Sequence, residues 1–230
     1  MHHVLKKIEK GLIVSCQALE GEPLHGSDIM GRMALAAKEG GAVGIRANSV
    51  SDIIEIKKHV ELPVIGIIKQ VYGDHSVFIT PTMKEIDALA ETGVEIIATD
   101  ATNRIRPNEC DLVTFYQEIR EKYPDLLLMA DVSSVEEAIF ADKLGFDIVA
   151  PTLYGYTEET NGLKIDDYNY DVIKQIVKKV TKAKVLAEGN VSTPAIARSV
   201  LDYNVHAVVV GGAITRPQLI TKKFVEALQS

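Results

Sequence analysis

The chain has no surplus of positive charge. Its 25 Lys and Arg face 32 Asp and Glu, a formal net charge of −7. Nucleic acids and anionic membranes are held by clustered cations, so neither is expected as a partner. Any anion site must be local, built from backbone N–H groups and one or two cations. Long apolar runs are missing as well: none approaches the ~20 residues that span a bilayer. The opening Met1-His-His-Val-Leu-Lys-Lys-Ile-Glu-Lys10 is too polar for a signal peptide. Cysteine is scarce. Cys16 and Cys110 stand far apart, with no CxxC or Cys/His ligand spacing, which argues against a disulfide scaffold and a metal site. Reduced thiols fit a cytosolic protein. No Ser/His/Asp or Cys/His constellation follows from the spacing, and no cofactor is expected. No low-complexity linker divides the 230 residues, so 1–230 read as one domain.

What the chain does have is repetition. Eight short apolar strands are predicted at 12–16, 42–46, 64–68, 96–99, 126–130, 148–151, 184–187 and 207–210. Continuous apolar runs are the mark of parallel strands covered on both faces. Helices are predicted between them at 29–38, 51–59, 83–92, 112–123, 135–144, 170–180, 194–203 and 217–229. Their ends carry chemical signals. Thr82 with Glu85 makes a capping box. Glu136 and Glu137 suit the first turn of a helix dipole. Pro194 and Pro217 fit the first helical position, and Gly93 and Gly145 fit C-caps. The Lys/Glu-rich residues 3–10 suggest a short extra helix closing the bottom. Eight strand–helix units in a chain near the ~250 residues of an eightfold barrel favour a closed (β/α)8 architecture. An open, doubly wound sheet is the alternative. The longest loop, 152–167, holds Tyr154-Gly-Tyr156 and Asn161-Gly162, and loops of that length often act as lids or binding loops.

The last two strands run into glycine turns, Glu188-Gly189-Asn190 and Gly211-Gly212 followed by Arg216. Glycine lets backbone N–H groups approach a ligand, and helix N-termini favour anions. Paired turns after the final strands of a barrel recur as a phosphate site, so a small phosphorylated molecule is the expected ligand. Barrel active sites lie at the strands' C-terminal ends. There stand Gln17, Arg46, Lys69, Asp100, Asp131 and Glu188. Unpaired charge beside apolar strands is costly, so this rim is a candidate site. Each residue has a structural reading too. Arg46 and Asp100 could form a salt bridge, on even terms with a functional Asp100. Asp131 could cap a turn, though Ser133 or Ser134 already fills that role. Lys69 punctuates the apolar Pro63-Val-Ile-Gly-Ile-Ile68, and function is favoured there. Glu188 beside a phosphate turn is electrostatically unfavourable and reads as functional. Gln17 is ambiguous, and Asn190 is weak by itself because Asn is common in turns. Cys16 reads as a small buried hydrophobe. His25 could touch ligand; His206 lies at the wrong end of the barrel.

At these positions the chain resembles the N-acetylmannosamine-6-phosphate 2-epimerase family. The matching stretches include Gly11-Leu-Ile-Val-Ser-Cys-Gln17, Gly40-Gly-Ala-Val-Gly-Ile-Arg46, Leu62-Pro-Val-Ile-Gly-Ile-Ile-Lys69, Met129-Ala-Asp131, Ala187-Glu188-Gly-Asn-Val and Val210-Gly-Gly-Ala-Ile-Thr-Arg216-Pro. They cover almost the whole chain in order. The resemblance implies a TIM barrel of the ribulose-phosphate-binding kind. It implies a cytosolic enzyme of sialic acid catabolism that interconverts N-acetylmannosamine 6-phosphate and N-acetylglucosamine 6-phosphate. It assigns Lys69 as catalytic acid/base and Glu188 as its partner. Gln17, Arg46 and Asp131 would hold the sugar, with Tyr154 of the long loop as a further substrate-binding candidate. Gly189, Asn190, Gly211, Gly212 and Arg216 would hold the phosphate.

The chemistry is consistent with those residue types. Epimerisation at carbon 2 removes a proton beside a carbonyl, so the sugar reacts in its open aldehyde form. Arg46 is a candidate to meet the developing enediolate charge. A lysine base needs a lowered pKa; burial and Arg46 would lower that of Lys69, whereas Glu188 would raise it. That balance stays open in the sequence, as does the group that returns the proton. Two rivals share the features. One is a lysine Schiff-base aldolase or lyase on a phosphosugar; the other is a non-catalytic sugar-phosphate sensor. A barrel helix such as the last could form the face of a homodimer.

Overall fold

The computed structural model describes residues 2–229. Eight parallel strands form one closed ring: β1 (Leu12–Cys16), β2 (Gly44–Asn48), β3 (Val64–Ile67), β4 (Ile96–Asp100), β5 (Leu127–Asp131), β6 (Ile148–Ala150), β7 (Lys184–Ala187) and β8 (Ala207–Val210), with β8 pairing back to β1. The helices are α1 (His3–Ile8), α2 (Ser27–Glu39), α3 (Val50–His59), α4 (Met83–Glu91), α5 (Leu112–Lys122), α6 (Val135–Leu144), α7 (Asp167–Lys179), α8 (Pro194–Asp202), the single turn α9 (Gly212–Thr215) and α10 (Pro217–Gln229). The sequence thus specifies the (β/α)8 barrel, and the open sheet is set aside.

Alternation along each strand divides the core in two. Inward residues such as Ile13, Ile65, Ile96, Leu127, Ile148, Leu186 and Val209 fill the barrel; outward ones such as Val14, Ile45, Ile97, Leu128 and Val149 pack beneath the helices. The extra helix α1 closes the N-terminal end, adding Val4, Leu5 and Ile8 to the inner cluster. His206 fixes it from below, with its Nε2 2.7 Å from the Leu5 carbonyl.

Two departures from the predicted elements shape the site. The second strand starts at Gly44 and not at residue 42, because the Ala42 N–H still bonds to the Ala37 carbonyl at 3.0 Å as the chain leaves α2. Arg46 therefore sits inside the barrel, in register with Ser15 and Ile65, and does not end its strand. The second departure lies between β3 and β4. Their ladder stops after Gly66↔Ile97. Above it Phe78, Ile79 and Thr80 run antiparallel to the end of β3, with bonds from Gln70 N to Phe78 O (2.9 Å) and from Thr80 N to Ile68 O (2.7 Å). On the other side Asp100 N donates to Ile79 O at 3.0 Å. This wedge splays the mouth and covers the top of β4.

The last helix is unlike the others. No described residue of α10 is buried, and Leu219, Phe224, Val225 and Leu228 are exposed. An apolar slot of about 360 Å³ opens between α8, the turn α9 that precedes α10, and the β8–β1 pair, lined in part by Leu12, Val208, Val210, Ala197 and Ile214.

Candidate active site

The inward positions of β1, β2 and β3 form layers toward the C-terminal mouth. Ser15, Arg46 and Ile65 lie level with one another; two residues further along stand Gln17, Asn48 and Ile67, and Lys69 follows two residues beyond Ile67. The β7 and β8 ends supply Glu188 and the glycine turns. Together they enclose a cavity of about 410 Å³. Of the residues singled out from the sequence, Gln17, Arg46, Lys69 and Glu188 line it, as do Gly189, Asn190, Gly211, Gly212 and Arg216.

Three candidates lie elsewhere. Asp131 is fully buried and stands behind Arg46, where both its oxygens accept from the guanidinium. Tyr154, the substrate-binding candidate, packs against the outer core cluster and does not line the cavity, whereas Tyr156 does, and its hydroxyl donates to Asn190 Oδ1 at 3.0 Å. The chain between them turns at Gly155 (φ 93°), which sends the two rings to different faces. Asp100 does not pair with Arg46. It is held by Arg104 and by Thr102, whose N–H and hydroxyl donate at 3.0 and 2.7 Å. The wedge of residues 78–80 closes over it, and Arg46 is already taken.

Arg46 is the electrostatic centre, 1% exposed. Its Nη1 and Nη2 donate to Asp131 at 3.0 and 2.6 Å, and Nη1 also donates to Glu188 Oε2 at 2.7 Å. One cation thus faces two buried carboxylates. Burial works against the charged guanidinium, but Asp131 and Glu188 more than offset it and hold Arg46 charged. Glu188 shows the other side of this imbalance. Burial, opposed by Arg46 and helped by Asp131, raises its carboxyl to about 7. Arg46 Nε and Gln17 Oε1 are buried without a hydrogen-bond partner among the described residues, although such groups are normally satisfied. Gln17 spends its Nε2 on Ser15 Oγ at 2.8 Å.

Lys69 is fixed through its backbone. Its N–H donates to Asn48 Oδ1 at 2.8 Å, and the residue bridges to Ile79 of the wedge. Burial lowers its amine from 10.5 to about 8, aided by Arg46 and then Arg216, and opposed by Glu188 and Glu22. An amine with that value is neutral about one tenth of the time at pH 7. The balance left open in the sequence thereby falls on the side of a lowered pKa.

At the opposite wall, Gly189 has φ 106°, and a Cβ there would stand 2.7 Å from the Pro151 carbonyl oxygen. Asn190 follows in the left-handed region at φ 54°. Gly211 precedes α9, which Thr215 ties to β1 through a 3.0 Å bond to the Ser15 carbonyl. Arg216 is held by a residue that no pattern in the chain singles out: Glu22 in the first loop accepts from its Nε and Nη2 at 2.8 and 3.1 Å. Glu22 escaped notice because its loop has no periodic pattern and its partner lies 194 residues away. Lys223 of α10, also on the cavity wall, escaped for a related reason: it reads as an ordinary exposed helix lysine.

The remaining candidates are inert or peripheral. Burial pushes the Cys16 thiol up to about 12, which removes it as a nucleophile. His25 is exposed and belongs to a second cavity, with Nδ1 3.3 Å from the Ala18 carbonyl. No cluster of three or more His, Cys, Asp or Glu able to hold a metal ion occurs among the described residues. No described helix is long and apolar enough to cross a membrane.

Comparison with known proteins gives a consistent result. A family model described as "Putative N-acetylmannosamine-6-phosphate epimerase" matches residues 30–230. A protein of Shouchella clausii named "Putative N-acetylmannosamine-6-phosphate 2-epimerase" is 58% identical over 229 residues, covering 100% of both chains. One of the same name from Borreliella afzelii is 57% identical over 225 residues, covering 98% of this chain and 97% of its own. The solved N-acetylmannosamine-6-phosphate 2-epimerase of Clostridium perfringens is 49% identical and superposes with a TM-score of 0.91, covering 98% of this chain and 96% of that one.

Proposed function

The chain belongs to the N-acetylmannosamine-6-phosphate epimerase family, and from that premise we propose how its cavity performs the reaction. The enzyme interconverts N-acetylmannosamine 6-phosphate and N-acetylglucosamine 6-phosphate, in sialic acid catabolism, by inverting carbon 2. The carrying observation is the lysine amine lowered to about 8 that shares one cavity with the paired glycine turns and a buried arginine.

The phosphate binds at Gly189, Asn190, Gly211 and Gly212, and draws Arg216 away from Glu22. Two negative groups on one half-exposed guanidinium repel each other, so Glu22 gives way. The open-chain sugar then extends across the mouth toward β3. Neutral Lys69 removes the carbon-2 proton. Charge develops on the carbonyl oxygen, where buried Arg46 meets it; a fixed cation in a dry site acts without reorganising. Asp131 keeps Arg46 in position from behind, and Gln17 offers its unpaired Oε1 to a sugar hydroxyl. A proton must then reach the opposite face of carbon 2. Glu188, with a carboxyl near 7, holds a proton about half the time at pH 7 and can deliver it; Lys69 and Glu188 then exchange roles for the reverse direction.

The test is proton NMR of N-acetylmannosamine 6-phosphate in deuterated water. Formation of the gluco epimer with deuterium at carbon 2 is expected. Turnover without exchange, or none, overturns the reading. Lys69→Ala should lose turnover while phosphosugar binding survives. A borohydride-trapped adduct would instead identify the lyase, and binding with no exchange the sensor.

We also propose a homodimer in the cytoplasm. The exposed apolar face of α10 and the adjacent slot suit a second copy, and such faces seldom remain open to water. Free Cys16 and Cys110 suit a reducing compartment. Sedimentation at micromolar concentration tests the dimer; a monomer there would refute it.

A further inference from the structure

A second cavity of about 470 Å³ lies between the loop after β1 and the start of α3. Lys69 belongs to the walls of both cavities. We infer that Asn48 and this side cavity receive the 2-acetamido group, so that this corner of the mouth sets the preference for N-acetylated over 2-hydroxy sugar phosphates. The inference rests on the epimerase reading and deepens it.

If Lys69 takes the proton from carbon 2, that carbon lies against its amine. The acetamido nitrogen is bonded to the same carbon. The phosphate end of the sugar runs the other way, toward the turns after β7 and β8. The acetamido group must therefore leave the main cavity beside Lys69, and the side cavity is the space that adjoins it there.

The lining suits an amide. Asn48 occupies an inward position at the end of β2 and reaches the side cavity. Its Oδ1 accepts from the Lys69 N–H, which fixes which end of the side-chain amide is oxygen. The Nδ2 group then carries two N–H donors. It makes no hydrogen bond among the described residues. A carbonyl oxygen of an acetyl group is the acceptor it lacks. Ala18, buried on the same wall, gives a methyl-sized apolar surface for the acetyl methyl. The next residue, Ser49, has φ 76° and ψ 151°, a region almost confined to glycine. It is held there by its N–H on the Ile67 carbonyl at 2.9 Å and by its hydroxyl, which accepts from Asp52 N at 3.2 Å. Those bonds end β2 abruptly, so Asn48 remains a strand residue facing inward while α3 begins two residues on. Strain of this kind concentrates at functional sites.

The experiment measures dissociation constants of N-acetylglucosamine 6-phosphate and glucose 6-phosphate by calorimetry. The two ligands share the phosphate and differ at carbon 2. Wild-type protein is expected to prefer the acetylated ligand. Asn48→Ala should weaken that ligand about tenfold, the scale of one hydrogen bond left unmade, and leave glucose 6-phosphate within about twofold. Ala18→Leu, which adds bulk to the wall of the side cavity while leaving Lys69 and Asn48 themselves unsubstituted, should give the same selective loss. It also carries the test should Asn48→Ala fail to fold. Equal weakening of both ligands, or no weakening in either variant, overturns the acetamido assignment while epimerisation by the wild type continues. Absence of epimerisation in the wild type overturns the underlying reading instead.

Discussion

Replacing Lys69 by methionine is expected to raise the melting temperature and abolish turnover together. The amine has fallen from 10.5 to about 8, chiefly through burial. That fall corresponds to roughly 3 kcal/mol of unfavourable interaction with the charged form, an upper bound for a half-buried group. Methionine keeps the unbranched chain without the charge. For a protein of this length each kcal/mol moves the midpoint by roughly 2–4 °C, so a gain of up to about 6–12 °C is expected at pH 7. The sign follows from proton linkage. A base with a lowered folded pKa binds fewer protons when folded than when unfolded between pH 8 and 10.5. The penalty is thus complete below pH 8 and fades as pH rises to 10.5. Thermal melts of both proteins at pH 6, 7, 9 and 10, with the NMR turnover assay alongside, read all of this. A midpoint at pH 7 equal to or below that of wild type refutes the reasoning. So does a difference that fails to shrink by pH 10.

Three further outcomes follow from the same network. Asp131→Asn places an NH₂ group against the Arg46 guanidinium in either orientation, and in one of them also against the Thr152 hydroxyl, which donates to Asp131 at 2.6 Å; a loss of roughly 3 kcal/mol is expected, seen as a midpoint lower by roughly 6–12 °C. Glu22→Gln frees Arg216 for the phosphate and should lower KM by roughly two- to fivefold, the scale of a half-exposed ion pair, with kcat unchanged in steady-state kinetics. The pH profile of kcat/KM should be bell-shaped with its maximum between about 7 and 8, since the step needs Lys69 without its proton and Glu188 with one, and Glu188→Gln, which has no carboxyl proton to deliver, should abolish turnover in the NMR assay.

Much of the architecture was readable in the chain, because strand and helix periodicities are local. β1, β7 and β8 and the helices α6 and α10 begin and end where their apolar patterns do. The second strand slipped by two residues because Ala42 and Val43 look like strand although Ala42 still closes the preceding helix. The site was readable where strand parity carries it, as at Gln17, Arg46, Lys69 and Glu188. It failed in loops. Tyr154 and Tyr156 are two residues apart around a glycine, and no pattern says which ring meets the cavity. Glu22 and Asn48 were missed because each acts on a partner on another element, and the wedge at residues 78–80 because it forms a single isolated bridge with no strand pattern of its own.

The order of apolar strands and amphipathic helices by itself gives eight strand–helix units and brings charges to the strands' C-terminal ends, since a parallel sheet buries both faces; that the units close into a ring is decided by the pairing of β8 with β1. Which charges meet is another matter. That Asp131 braces Arg46 from behind, that Glu22 occupies Arg216, and that burial brings Lys69 to about 8 depend on distances across the barrel. Charge interaction and desolvation vary steeply over a few ångströms, and only the closed ring sets those lengths.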